Sequence, residues 1–260
     1  LKQLSLVLTM DISGSMQGPY MKLAKSAAKA IVNKLPLDIS ECAITSFDDA
    51  SFVNADFTID KNRLLQTIEA LTPAGGTNYN KGFNKANAGG LDILKNGLHE
   101  KVLIFLTDGY GDVSPLEIIQ KAKSMSAKVY VITLAMRAPE ELKRIVEATN
   151  GNYYENIITQ EEIETVYLSI LYRSQGLIPS TVEWTSTPGC GYLKALVFGE
   201  KKNTIKSTVA QYAAPSKNIV RLVSDQSTLT FNASTKEIPV SLKAINGDYS
   251  IAAFNSSKPF

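Results

Sequence analysis

The sequence predicts an α/β fold: a doubly wound, mostly parallel sheet with one antiparallel edge strand and helices on both faces, followed by a C-terminal all-β, sandwich-like domain. Three observations predict it. Runs such as "KVLIFLT" are apolar on both faces, as strands covered by helices on each side must be. Up to about Ser174 these runs alternate with segments of helical periodicity. Beyond "SQGLIPS" the helical patterns stop, and short runs of alternating polarity follow, separated by turn signals such as "GEKKN" and "NGD".

The elements follow in order. "LSLVLTM" is a strand that ends on Asp11. From Tyr20 the apolar positions Ala24, Ala27, Ala28, Ile31 and Leu35 recur at helical spacing; Pro19 suits the first turn and Pro36 closes the segment. "ECAITSF" and "SFVNADFTI" flank the tight "DDA" and make the hairpin that supplies the antiparallel edge. "KNRLLQTIEAL" is helical, and "KGFNKANAGGLDIL" is read as one helix despite its glycines. "KVLIFLT" is the next strand, again ending on a carboxylate, Asp108. Helix "PLEIIQKAKSM", strand "KVYVITL", helix "PEELKRIVEAT" and short strand "NYYE" complete the alternation. A last helix opens with Thr159 and Glu162 at capping-box spacing and carries Ile163, Val166, Tyr167, Ile170 and Leu171 on one side. The expected domains are 1–175 and 176–260, with Trp184 in the core of the second.

Composition narrows the function. Apolar residues make up 44% and charged residues 20%, enough for a real core. No apolar stretch is long enough to cross a bilayer. Through Gly176 there are 18 basic against 20 acidic residues, and beyond it 9 against 5. Without a basic run, neither half reads as a nucleic-acid binder. Cys42 and Cys190 are too few for a disulfide framework, and with the single His99 they make a zinc site a poor fit. Cys42 reads as a small buried hydrophobe and His99 as a loop residue. "NAS" at Asn232 and "NSS" at Asn255 would matter only in a secreted eukaryotic protein. The chain begins without Met and is expected to be a segment of something longer.

The strand-end residues carry the chemistry. Asp11, Ser13 and Ser15, two apart on a turn leaving a strand, can aim their side chains at one point. They offer only oxygen, which suits a hard cation such as Mg²⁺, but they are too few to enclose one. "PAGGTNYNKGF" places Thr77 after two glycines that let the backbone bend sharply, and "FLTDGYGD" places Asp108 at the next central strand end. In open α/β sheets such ends share one crevice. Neutral hydroxyls do not quench a divalent cation, and if one of the two carboxylates acts through water the ion keeps an unsatisfied positive field, suited to a carboxylate from a partner protein. Each segment alone is also an ordinary turn or cap. Their joint occurrence in this order is the signal.

With those residues in view, 1–175 resembles the von Willebrand factor A domain family, through "DISGSM", "GGTNYNKG" and "LTDGYGD". In that family these segments form the metal-ion-dependent adhesion site. The resemblance implies Asp11, Ser13, Ser15, Thr77 and Asp108 as metal ligands, with Mg²⁺ as the usual ion and Mn²⁺ or Ca²⁺ as substitutes. It also implies an acidic side chain of a protein ligand as the target. Gln17, Tyr79, Tyr110 and Asp112 are candidates for the ligand-contacting rim, while Asp48 and Asp49 read as solvated turn residues. The leading function is thus a non-enzymatic, metal-dependent adhesion module, at a cell surface or secreted. The alternative is an intracellular regulatory subunit of a multi-protein or ATPase-driven complex, using the same site. A metal-assisted phosphoesterase ranks third, since no general base or second set of metal ligands is visible.

Overall fold

In the computed structural model, residues 2–176 are described throughout, apart from the Glu161 side chain; beyond them the backbone of seven strands is described. The chain divides into two compact units, Leu1–Tyr167 and Leu168–Phe260.

The first unit is built on β1 (Leu4–Asp11), β2 (Glu41–Phe47), β3 (Ser51–Thr58), β4 (Glu100–Thr107), β5 (Lys128–Leu134) and β6 (Tyr153–Ile157). Their spatial order is β3-β2-β1-β4-β5-β6. Every pairing is parallel except β2 with β3, so the expected antiparallel edge is present. Between them run α1 (Pro19–Lys34), α2 (Lys61–Ala70), α3 (Tyr79–Asn84), α4 (Gly90–Leu94), α5 (Pro115–Ser124) and α6 (Glu140–Ala148); α7 (Gln160–Ser174) follows β6. All residues of β1 are buried, as the central strand of a sheet covered on both faces must be. Val7, Leu103, Phe105 and Val129 share one core with Tyr79, Phe83, Leu91, Ile118 and Leu142 from α3 to α6. Strand alternation puts Leu6, Leu8 and Met10 on the opposite face, all fully buried.

The expected single helix over 81–94 is two short ones. Lys85 leaves the helical region and Asn87 takes a φ of +62°. The glycines explain the break, because α4 lies too close to its surroundings for side chains. A Cβ on Gly90 would stand 2.2 Å from Thr9 Oγ1, and one on Gly89 would stand 2.4 Å from the Lys85 nitrogen. The capping box at α7 forms as expected: Thr159 Oγ1 accepts from the Glu162 amide, and Glu162 Oε2 accepts from the Thr159 amide. Gln160 of α7 donates to Ser26 of α1, tying the start of the last helix to the first. Cys42 is buried, as expected.

The described strands of the second half form one antiparallel sheet. They are β7 (Ile178–Trp184), β8 (Leu193–Gly199), β9 (Val209–Ala213), β10 (Ile219–Ser224), β11 (Ser227–Asn232), β12 (Val240–Ala244) and β13 (Gly247–Ala253), in the order β7-β8-β13-β12-β11-β10-β9. Among the described residues these strands make one sheet, without the second layer of a sandwich; the Trp184 side chain, Cys190 and Asn255 lie outside the described residues.

Candidate functional site

β1 and β4 are neighbours in register, so their C-terminal ends deliver Asp11 and Thr107–Asp108 to the same edge of the sheet. After Asp11 the chain turns through a single 3-10 turn, Gly14–Met16, before α1 begins. Asp11 caps neither helix by its side chain. Its Oδ1 accepts the Ser13 amide at 2.7 Å and its Oδ2 accepts the Thr107 hydroxyl at 2.5 Å. Ser13 Oγ lies 3.1 Å from Ser15 Oγ, and Ser15 Oγ donates to Asp108 Oδ1 at 2.7 Å. Hydrogen bonds therefore link Asp11, Ser13, Ser15 and Asp108 in sequence, the first through the Ser13 amide and the others between side-chain oxygens.

Thr77 enters from a third segment. The Pro73–Asn78 stretch is held against the loop after β1, with the Ala74 amide donating to the Ile12 carbonyl and the Gly14 amide to the Gly75 carbonyl. A Cβ placed on Gly109 would stand 3.5 Å from both Ser15 Oγ and Thr77 Oγ1. The two hydroxyls thus flank the residue that follows Asp108. All five sequence-predicted donors meet at one sheet edge.

Burial pushes the Asp11 carboxyl up to about 6, against the hydrogen bonds from Ser13 and Thr107 that favour its charge; the Asp108 carboxylate raises it further. Asp108 is also shifted upward, again by burial, with the Ser15 bond opposing. No salt bridge among the described residues neutralises either group. Nor does any group of three His, Cys, Asp or Glu gather there, because three of the five donors are hydroxyls.

The rim is less uniform than expected. Gln17 and Asp112 are exposed and Tyr110 is 74% exposed, so all three can meet a partner. Tyr79 cannot. It is fully buried, packs edge-on to Phe47 and Phe105, and donates its hydroxyl to the Gly109 carbonyl. Burial keeps its phenol protonated well above the usual range. Tyr79 is therefore a brace between the Thr77 and Asp108 segments. Tyr79→Phe should keep the ring packing and cost about 1 kcal/mol, measured by urea denaturation.

Thr107 was missed by the sequence reasoning, although a polar residue closing an apolar strand was its visible signal. The aspartates of the β2–β3 turn also differ from expectation. Asp49 accepts the Gly76 amide at 2.7 Å, and Asp48 accepts the Ala50 amide within its own turn. They hold structure rather than only facing water.

Comparison with known proteins is consistent with this geometry. The sequence profile described as "von Willebrand factor type A domain" matches residues 6–110, which span Asp11 to Asp108. Residues 6–110 carry a von Willebrand factor type A domain. Solved structures with the same fold include a von Willebrand factor type A protein from Catenulispora acidiphila, at 16% identity and a TM-score of 0.58, covering 99% of this chain and 56% of that one. The proximal thread matrix protein 1 of the mussel byssus, with a zinc-occupied MIDAS motif, matches at 18% identity and a TM-score of 0.56, covering 65% and 45%. The domain of the type V pili tip protein Mfa5 from Porphyromonas gingivalis matches at 15% identity and a TM-score of 0.54, covering 67% and 97%. These likenesses concern the fold. No curated protein matches the chain by sequence. Among the described residues, no helix is long and apolar enough to cross a membrane.

Proposed function

We propose that this protein is a divalent-metal-dependent protein-binding module. Asp11, Ser13, Ser15, Thr77 and Asp108 of the VWA domain would hold Mg²⁺, with Mn²⁺ or Ca²⁺ as substitutes. When bound, the ion supplies a positive charge with a free position for an acidic side chain of a partner. The observation that carries this reading is the meeting of two carboxylates and three hydroxyls from three chain segments, with no cationic side chain to neutralise them. A site of hard oxygen donors whose carboxylates are held partly against their charge fits a hard cation. Gln17, Tyr110 and Asp112 are exposed where such a partner would dock.

The same features argue against an enzyme. Asp11 has the raised carboxyl that a general base would need, but it is 0% exposed and both its oxygens are engaged. Placement at a cell surface or outside the cell is part of the proposal, in keeping with the pilus-tip protein among the structural neighbours. The proposal also takes 1–175 as the binding domain and 176–260 as a sandwich-like β domain.

The test is thermal melting in EDTA, Mg²⁺, Mn²⁺ and Ca²⁺, on wild type, Thr77→Ala and Asp108→Ala. A cation that binds only the folded state raises the melting temperature with its occupancy, by the equivalent of about 2.7 kcal/mol at a hundred times its Kd. Mg²⁺ and Mn²⁺ should raise the wild type and leave both variants unmoved. A folded wild type that melts identically in all four conditions would defeat the reading.

A further inference from the structure

The donor set leaves open what fixes Thr77, which lies on an irregular loop between α2 and α3. The hydroxyl can serve the site only if its backbone is held, and both amides flanking it are tied to the β2–β3 turn. The Gly76 amide donates to Asp49 Oδ2 at 2.7 Å, and the Asn78 amide donates to the Asp48 carbonyl at 3.0 Å. On its other side the loop is bonded to Ile12 and Gly14. The fit is close. Gly75 takes a φ of +73°, and a Cβ there would stand 2.9 Å from Asp48 Oδ2. A Cβ on Gly76 would stand 2.6 Å from Asp49 Oδ1. The two carboxylates of the turn therefore sit close against the loop backbone, which at Gly75 takes the left-handed conformation that favours glycine.

Resting on the metal-site reading above, we propose that Asp49 is a positioning residue for that site. It holds the Gly76 amide and so sets the place of the Thr77 hydroxyl beside Ser15 and Asp108. Asp49 is exposed and belongs to a turn whose neighbours have their own bonds, so the sheet does not depend on it. Its influence should show in cation affinity rather than in stability. Outer residues that orient metal ligands typically change affinity by about 10–100-fold when removed. Asp49 acts through one backbone amide, which places it at the low end.

The experiment is calorimetric titration of the whole chain with Mg²⁺, together with melting in EDTA, for wild type, Asp49→Ala and Asp49→Asn. Asp49→Ala removes the acceptor and should weaken Mg²⁺ about ten-fold, with the metal-free melt within about 2 °C of wild type. Asp49→Asn keeps an amide oxygen for the Gly76 amide but loses the charge, and should stay within about two-fold of wild type. Equal binding by Asp49→Ala and wild type would overturn the proposal. So would an Asp49→Asn as weak as Asp49→Ala, since the charge and not the hydrogen bond would then matter. A metal-free melt of Asp49→Ala lowered by more than about 5 °C would make the residue a general support of the fold, which also overturns it. A wild type with no Mg²⁺ binding would instead remove the metal-site reading, and the positioning role with it.

Discussion

Asp11→Asn is expected to make the metal-free VWA domain more stable at pH 7.5 while abolishing its response to Mg²⁺. Asp11 is fully buried and its carboxyl is pushed up from 3.8 to about 6, first by burial. A carboxylate whose folded pKa lies above its unfolded one destabilises the fold wherever both states are ionised, here above about pH 6. A shift of this size corresponds to about 3 kcal/mol as an upper bound. Asparagine keeps an oxygen for the Ser13 amide, and the Thr107 hydroxyl can turn to accept from the side-chain nitrogen. The variant should therefore gain about 1–3 kcal/mol in EDTA, or several degrees of melting temperature.

The same sign governs pH. In EDTA the wild type should gain stability as pH falls from 7.5 through 6, because folded Asp11 takes up a proton before the unfolded chain does, and Asp108 shifts the same way. The opposing carboxylates act lower. Glu162, held down by the backbone amide of Ile158, and Glu69, held down by Lys29, lose their contribution only as pH falls below the ordinary 4.5. Above that value the trend belongs to the site. The Mg²⁺-dependent rise in melting temperature should shrink over the same interval, since protons and the cation compete for Asp11. An Asp11→Asn variant that melts below wild type in EDTA at pH 7.5 would show that burial of the charge is not the dominant cost.

The second large effect is Phe105→Ala. Phe105 is fully buried in β4, stacks on Phe83 at 3.9 Å and on Phe47 at 4.7 Å, and meets Tyr79 edge-on at 5.5 Å between ring centroids. Those rings come from β2, α3 and β4, so truncation opens a cavity that no single element can close. The expected loss is about 3–5 kcal/mol, read as a lower urea midpoint with the slope unchanged. Tyr79 leans on this stack while bracing Gly109, so the variant should also weaken Mg²⁺ binding in the protein that remains folded. A loss under about 1 kcal/mol would mean that the surrounding rings repack.

How much of this was legible in the sequence depended on whether the signal was local. The strand runs, the Thr159–Glu162 capping box and the carboxylates closing β1 and β4 are written in adjacent residues, and the structure contains each of them. The split of 81–94 into two helices was not legible, because Gly89 and Gly90 answer to Lys85 and to Thr9 on β1, which no periodicity reveals. Tyr79, a rim candidate from the sequence, is instead turned into the core by the start of α3. Thr107 and Asp49 act through partners 96 and 27 residues away, on Asp11 and Gly76. Such contacts depend on topology, and sequence spacing carries no trace of them.

The order β3-β2-β1-β4 has a consequence for how the chain folds. β1 precedes β4 by nearly the whole first half of the domain, so its partner on one side is not complete until Thr107. Until then the β1 edge later covered by β4 is an unpaired row of apolar strand, the kind of surface that invites aggregation or capture by chaperones. Pairing across that distance raises contact order and slows folding. Asp11 and Asp108 also meet only at that step, so an intact oxygen cluster reports that the central pairing has closed, while a segment ending before β4 would carry four of the five donors and lack the Ser15–Asp108 contact that joins the two strand ends.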